Sequence, residues 1–173
     1  MSYKIAIPSY KRVNILQKKT LNLLKKYNIK PKKIYIFVAN EEEYKNYKEE
    51  LKKDYKIIIG KVGIKNIRNF MAKYFKENEK IFYIDDDISY IYEVYNNINS
   101  DDRKYNKLKE LDNLDLLIKN NFKICKKKNI SNWGIYPVEN PYFMKLKNNL
   151  DNHISINLRY IMGGFTGVIN NHK

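Results

Sequence analysis

Asp85-Asp86-Asp87 follow directly on the apolar run Lys80-Ile81-Phe82-Tyr83-Ile84. Three adjacent carboxylates repel one another unless something cationic sits among them. Side chains alternate along an extended chain, which sends Asp85 and Asp87 one way and Asp86 the other. Such a pair at the carboxyl end of a strand suits a hard divalent ion bridging protein to a diphosphate. The plain structural alternative is a solvated acidic turn.

Three further stretches carry polar groups where the chain leaves regular structure: Pro8-Ser9-Tyr10-Lys11-Arg12, Ala39-Asn40-Glu41 and Gly63-Ile64-Lys65-Asn66-Ile67-Arg68-Asn69. The first two end apolar runs and the third opens a helical pattern. In a parallel sheet all of them, with the aspartates, converge on one edge. Each has a bland reading as well. Arg12 and Arg68 serve equally as solvated helix-surface residues, and Glu41 as a partner of a helix dipole.

The elements that must position these groups read as follows. Lys4 to Pro8 is a first strand, which Pro8 ends because it has no N–H for a ladder. Ile15 or Leu16, Thr20, Leu23, Leu24 and Tyr27 form a helical stripe, and Ile34 to Ala39 is a second, central strand. Asn40 caps a helix that opens on Glu41-Glu42-Glu43 and buries Tyr44, Tyr47 and Leu51. Ile57 to Ile59 is a third strand, and Gly60 to Gly63 a turn. Ile64, Ile67, Phe70, Met71, Tyr74 and Phe75 mark the next helix, and the acidic strand follows. Strand alternating with helix through this half predicts a Rossmann-like, mostly parallel α/β sheet flanked by helices.

The second half is less regular. Ile88, Tyr90, Tyr92 and Val94 alternate as a strand or extended segment, and Asn96 to Arg103 is a polar loop. Leu108, Leu111, Leu114 or Asp115, Ile118 and Phe122 predict one long helix ending in Lys126-Lys127-Lys128. Trp133 to Pro137 is a short strand, and Ile154 to Tyr160 another, followed by Gly163-Gly164-Phe165-Thr166-Gly167-Val168-Ile169. A plain turn or bulge at Gly163-Gly164 and a core role for Trp133 are the structural readings there. His153 and His172 fit surface positions better than metal ligation.

The length of 173 residues suits one domain, 1–173, with a proper core. Apolar residues at 43% exclude disorder, and no apolar run approaches membrane-spanning length. The first residues enter a strand without the anatomy of a signal peptide. The lone Cys125 cannot form an internal disulfide, so a cytoplasmic protein is expected. A net charge of +15 favours a polyanionic partner such as DNA, RNA or an acidic glycan. Lysines spread evenly along a Lys-, Asn-, Ile- and Tyr-rich chain also fit an AT-rich genome.

Ile7-Pro8-Ser9-Tyr10-Lys11-Arg12, the helix start from Gly63 to Arg68-Asn69, and a strand ending in a DxD-type Asp85-Asp86-Asp87 together resemble a GT-A glycosyltransferase. Trp133 to Met144 and Gly163-Gly164-Phe165-Thr166-Gly167 look closer to one branch. That branch is the enzymes associated with TET/JBP-type DNA hydroxylases, including base J-type glucosyltransferases of viruses and phages. The resemblance implies a nucleotide-sugar half, 1–95, and an irregular acceptor-side half, 96–173. It implies a metal-dependent transferase using a nucleotide-diphosphate sugar, a UDP-hexose, with Mn²⁺ or Mg²⁺ as cofactor. A viral chain would work in the host cytoplasm or the virion.

By the same resemblance Pro8, Ser9, Tyr10 and Arg12 frame the nucleoside, and Asn40 or Glu41 meets the base or ribose. Gly63 opens the helix from which Arg68 reaches the diphosphate or ribose. Asp85 holds the ribose, with Asp86 beside it, and Asp85 and Asp87 are the metal ligands. Trp133, Gly163 and Gly164 lie on the acceptor side. Family members carry a catalytic carboxylate, and often a metal-binding histidine, beyond the glycine segment. This sequence ends at Lys173, so it reads as truncated, unusual in its base or not fully active, with Glu139 and Asp151 as the candidate bases. Hydroxylated bases in DNA would explain the charge, and protein or glycan acceptors fit as well. The competing function is a basic nucleic-acid-binding module without catalysis.

Overall fold

The computed structural model describes residues 2–51, 55–95, 103–135, 140 and 164–171. The four apolar runs of the first half are strands: β1 (Lys4–Pro8), β2 (Ile34–Val38), β3 (Lys56–Ile59) and β4 (Lys80–Ile84). They are parallel, and β1 lies between β2 and β4, with Ile5 opposite both Ile34 and Phe82. The connection from β1 to β2 is a helical run of α1 (Val13–Leu16), a π-helical turn (Gln17–Leu21) and α2 (Asn22–Lys26). α3 (Glu41–Leu51) joins β2 to β3, and α4 (Ile64–Tyr74) joins β3 to β4.

Beyond β4 the chain departs from the simple alternation. β5 (Tyr92–Tyr95) and β6 (Lys107–Glu110) form a separate antiparallel pair. α5 (Leu114–Lys128) follows, then β7 (Asn132–Gly134) and β8 (Phe165–Ile169). Among the described residues the main sheet runs β3-β2-β1-β4-β8-β7. β8 lies antiparallel to β4, and β7 antiparallel to β8. The result is a six-stranded, mostly parallel sheet flanked by helices.

Both faces of the central strands are buried, which explains their unbroken apolar character. Alternate residues serve different cores. Ile5, Ile7, Ile34, Ile36, Val38, Phe82 and Ile84 pack with side chains of α1, α2, α3 and α5. Ala6, Tyr35, Phe37 and Ile81 pack on the other face against Ile67 and Met71 of α4 and Phe75 just beyond it. Helices on one face carry the chain from β1 out to β3, and α4 carries it back along the other face to β4. The strand order therefore reverses between β1 and β4, the topological switch point where such sheets bind ligands.

One expectation needs correction. The single long helix from Leu108 begins only at Leu114, where the Asn113 side chain caps it by accepting from the Leu116 N–H at 2.9 Å. Lys107–Glu110 is a strand instead, because it finds β5 as a partner; the spacing of Leu108 and Leu111 fits a helix equally until that pairing is known. The strand expected over Ile154 to Tyr160, and His153 and His172, lie outside the described residues. Among the described residues no helix is long and apolar enough to cross a membrane.

Candidate functional site

At the carboxyl ends of β1 and β4 a cleft of about 380 Å³ opens. Pro8, Ser9, Tyr10 and Arg12 line it from β1, Gly63 and Arg68 from the start of α4, and Asp85, Asp86 and Asp87 from β4. Three of the four stretches singled out in the sequence thus meet at the switch point. From the fourth, only Ala39 reaches the cleft lining.

β4 ends at Ile84, so the three aspartates sit in a turn and strand alternation does not govern them. Burial still sets Asp86 apart from Asp85 and Asp87, but the ion pairs cut across that grouping. Arg12 bridges Asp86 and Asp87, at 3.2 and 3.1 Å. Arg68 holds Asp85 at 2.9 Å. Two guanidiniums distributed over three carboxylates supply the cations that the acidic run requires.

Asp86, 5% exposed, is the buried member of the three. Its Oδ2 accepts from the Ser9 hydroxyl at 2.7 Å. That use of the Ser9 proton fixes the direction of its second bond: the Tyr47 hydroxyl, 2.8 Å away, donates to Ser9 Oγ. Tyr47 in turn accepts from the Arg12 N–H at 3.1 Å. A directed chain therefore runs from the Arg12 backbone through Tyr47 and Ser9 to Asp86. Burial raises the Asp86 carboxyl above its ordinary value, against the opposing pull of Ser9 and Arg12. Burial likewise raises the Tyr47 phenol. Asp86 is thus a brace between β1 and β4, while Asp85 and Asp87 are the more exposed pair.

The turn after β1 is held in place by a residue that sequence reasoning missed. Lys11 takes a left-handed φ of 54°, and its N–H donates to the Glu43 carboxylate of α3 at 2.8 Å. Glu43 is buried, although its run of three acids reads as a plain helix start. Asn40 caps that helix by accepting from the Glu43 N–H at 3.0 Å, and Glu41 is exposed. Neither Asn40 nor Glu41 is among the residues lining the cleft. Lys61 does line it, and went unrecognised although it lies in the turn that follows β3.

Gly63 opens α4 at φ 93°, with no side-chain cap and no acid in the first turn. The positive end of that helix dipole is therefore presented beside Lys61 and Arg68. Just before β8, Gly164 accepts from the Asp85 N–H at 3.1 Å. A Cβ on Gly164 would come within 2.6 Å of Asp85 Oδ2, so only glycine lets the carboxylate keep its position. Trp133, in contrast, lies away from the cleft. Its ring stacks on Phe82 at 5.7 Å and meets Phe122 edge-on, and its bulk covers Gly167 of β8. Gly163, Glu139 and Asp151 lie outside the described residues.

The donor set can be tested against a divalent cation. Among the described residues no three His, Cys, Asp or Glu side chains group as a metal cage. Mg²⁺ seldom uses such a cage: it takes one or two carboxylates and completes its shell with phosphate oxygens and water. Asp85 and Asp87 each direct one oxygen at an arginine and keep the other outside those ion pairs. Two hard oxygen donors beside cationic groups fit an ion that arrives with a diphosphate. No protein-family model and no curated protein matches this chain.

Proposed function

We propose that the cleft binds a nucleoside diphosphate together with Mn²⁺ or Mg²⁺, and that the protein transfers a sugar, a hexose, from a nucleotide-sugar donor such as UDP-glucose. The observation that carries this reading is the meeting of Arg12, Arg68 and the accessible carboxylates of Asp85 and Asp87 at the switch point of the sheet. A departing nucleoside diphosphate gains negative charge, and preorganised cations stabilise that charge as it forms. Arg12 and Arg68 would exchange part of their carboxylate contacts for phosphate oxygens. The uncapped start of α4 would add backbone N–H donors. Ser9 and Tyr10 would border the nucleoside, the half-exposed Tyr10 ring offering a face to the base. Asp85 and Asp87 would hold the cation, which neutralises the diphosphate when bound. The arrangement is compatible with a GT-A transferase, and its acceptor is drawn from hydroxylated DNA bases, proteins or glycans.

Thermal unfolding with UDP, with and without Mn²⁺, tests the reading. A ligand at a hundredfold its Kd stabilises the folded state by about 2.7 kcal/mol. A metal-dependent rise in Tm with UDP, followed by Mn²⁺-dependent hydrolysis or transfer from UDP-hexose, is the expected result. No shift with any nucleoside diphosphate would refute it.

One observation favours a second reading, a basic module that binds nucleic acid. Tyr90 and Tyr92 are 65% and 51% exposed, and their rings stack 6.2 Å apart. Exposed aromatic faces on a chain of charge +15 suit single-stranded nucleic acid. Salt-sensitive binding of an oligonucleotide that neither UDP nor Mn²⁺ alters would select this reading.

A further inference from the structure

We infer that Thr20 positions the aspartate turn for ligand binding, an assignment that rests on the reading of the cleft proposed above. Thr20 lies in the π-helical turn and is fully buried. A threonine hydroxyl within an α-helix ordinarily turns back to a carbonyl of its own helix. The Thr20 hydroxyl leaves its helix. It donates to the Asp85 carbonyl at 2.7 Å and accepts from the Ile88 N–H at 3.0 Å. One side chain therefore closes both ends of the segment that carries Asp86 and Asp87.

The clamp is matched from the other side of β4, where Gly164 accepts from the Asp85 N–H. The main chain of Asp85 is thus held at both its N–H and its carbonyl, by two elements distant in sequence. What stays adjustable is the carboxylate, together with the exposed Asp87 side chain. Such preorganisation is what a site for a metal and a diphosphate needs, since ligand groups must not be ordered at the moment of binding. The π-helical turn belongs to the same device. Single π turns inserted in α-helices recur at functional sites, and this one sets Thr20 against the aspartate turn.

Thr20 touches no ligand; it is a positioning residue. Removing its hydroxyl leaves the Asp85 carbonyl and the Ile88 N–H without that partner, and the turn opens. Loss of a group that orients ligating side chains costs metal affinity about 10–100-fold.

The test uses the whole chain and measures the Kd of Mn²⁺ in the presence of UDP, with the Tm of the unliganded protein alongside. Thr20→Val, which keeps the shape and removes the hydroxyl, is expected to weaken Mn²⁺–UDP by at least about tenfold. Thr20→Ser, which keeps the hydroxyl, is expected to restore wild-type affinity even where it lowers Tm. A folded Thr20→Val protein with wild-type Kd would overturn the assignment, because a purely structural residue would lower Tm alone. Where Thr20→Val does not fold, Thr20→Ser decides: a Kd close to wild type supports the clamp, and a loss of about tenfold overturns it. A wild-type protein that binds no nucleotide–metal pair would overturn the reading of the cleft, and the clamp with it.

Discussion

The main sheet has a hollow at each end, and the two are built on different terms. At the carboxyl ends of β1 and β4, a cleft of about 380 Å³ is lined by three aspartates and two arginines that contact one another across elements. At the opposite end, a larger hollow of about 560 Å³ is bordered by Asn78, Lys80, Asn129 and Asn170. Its asparagines complete the backbone. Asn78 and Asn129 take left-handed φ values of 63° and 54° where chain segments reverse. Buried Asn170 donates to the Ala72 and Phe75 carbonyls at the end of α4, at 3.0 and 2.6 Å. Size therefore does not identify the site. Polar groups that already satisfy main-chain atoms have a structural duty to lose, whereas mutually paired charges can change partners when a charged ligand arrives.

Five substitutions would break or sharpen that contrast. The largest effect is expected from Asp87→Ala, which should abolish the UDP–Mn²⁺ stabilisation while leaving the unliganded Tm nearly unchanged. The carboxylate is exposed, and an exposed ion pair contributes about 0–1 kcal/mol. Equal ligand-induced shifts in mutant and wild type would remove the cleft from consideration. Gly164→Ala should come next. Its methyl group displaces the Asp85 carboxylate from Arg68, so titration calorimetry should show Mn²⁺–UDP affinity falling about 10–100-fold.

Asn170→Ala probes the other end of the sheet. Orphaning the α4 carbonyls should cost about 1–3 kcal/mol in denaturant unfolding, with Mn²⁺–UDP affinity unchanged. A mutant whose affinity fell while its stability held would erase the distinction between the two hollows.

The smallest effects are in pH dependence, and two aspartates should give opposite signs. The folded state raises Asp86 above its ordinary 3.8, chiefly through burial, so it holds a proton more tightly than the unfolded chain does. The Asp86 contribution to stability therefore declines as pH rises from about that value through the raised one. Asp115, beyond the cleft, behaves in reverse. Burial would raise it, but Lys119, Tyr3 and Lys33 together hold it well below the ordinary range. Its contribution is present at neutral pH and is lost as pH falls below the ordinary aspartate value towards the lowered one. Tm followed across the acid range should show Asp86→Asn and Asp115→Asn flattening opposite slopes.

Much of the first half was legible in the sequence because its central strands are buried on both faces and its helices carry clear apolar stripes. Those signals place β1 to β4 in order, and parallel pairing then brings Ser9, Arg12, Arg68 and the aspartates together. What spacing reports, however, is burial and not bonding. Thr20 and Tyr47 sit in their helical stripes as expected, yet nothing in the stripe reveals that their hydroxyls reach the aspartate turn and Ser9. The sharing of Arg12 and Arg68 among Asp85, Asp86 and Asp87 was hidden for another reason: it depends on β4 stopping at Ile84. β6 and the place of β8 beside β4 arise from pairing between distant segments, which local periodicity does not encode. Trp133 gave no local sign that Phe82, Phe122 and Gly167 would enclose it.

The position of β8 carries a consequence for how the protein is made. A ribosome delivers β1 to β4 early, but β4 keeps one bare edge, and Asp85 lacks its Gly164 contact, until Phe165–Ile169 emerges and slots in beside them. The nascent chain thus holds Ser9, Arg12, Arg68 and the aspartates before β4 is flanked on both sides, and the arrival of one late strand completes the support beneath them.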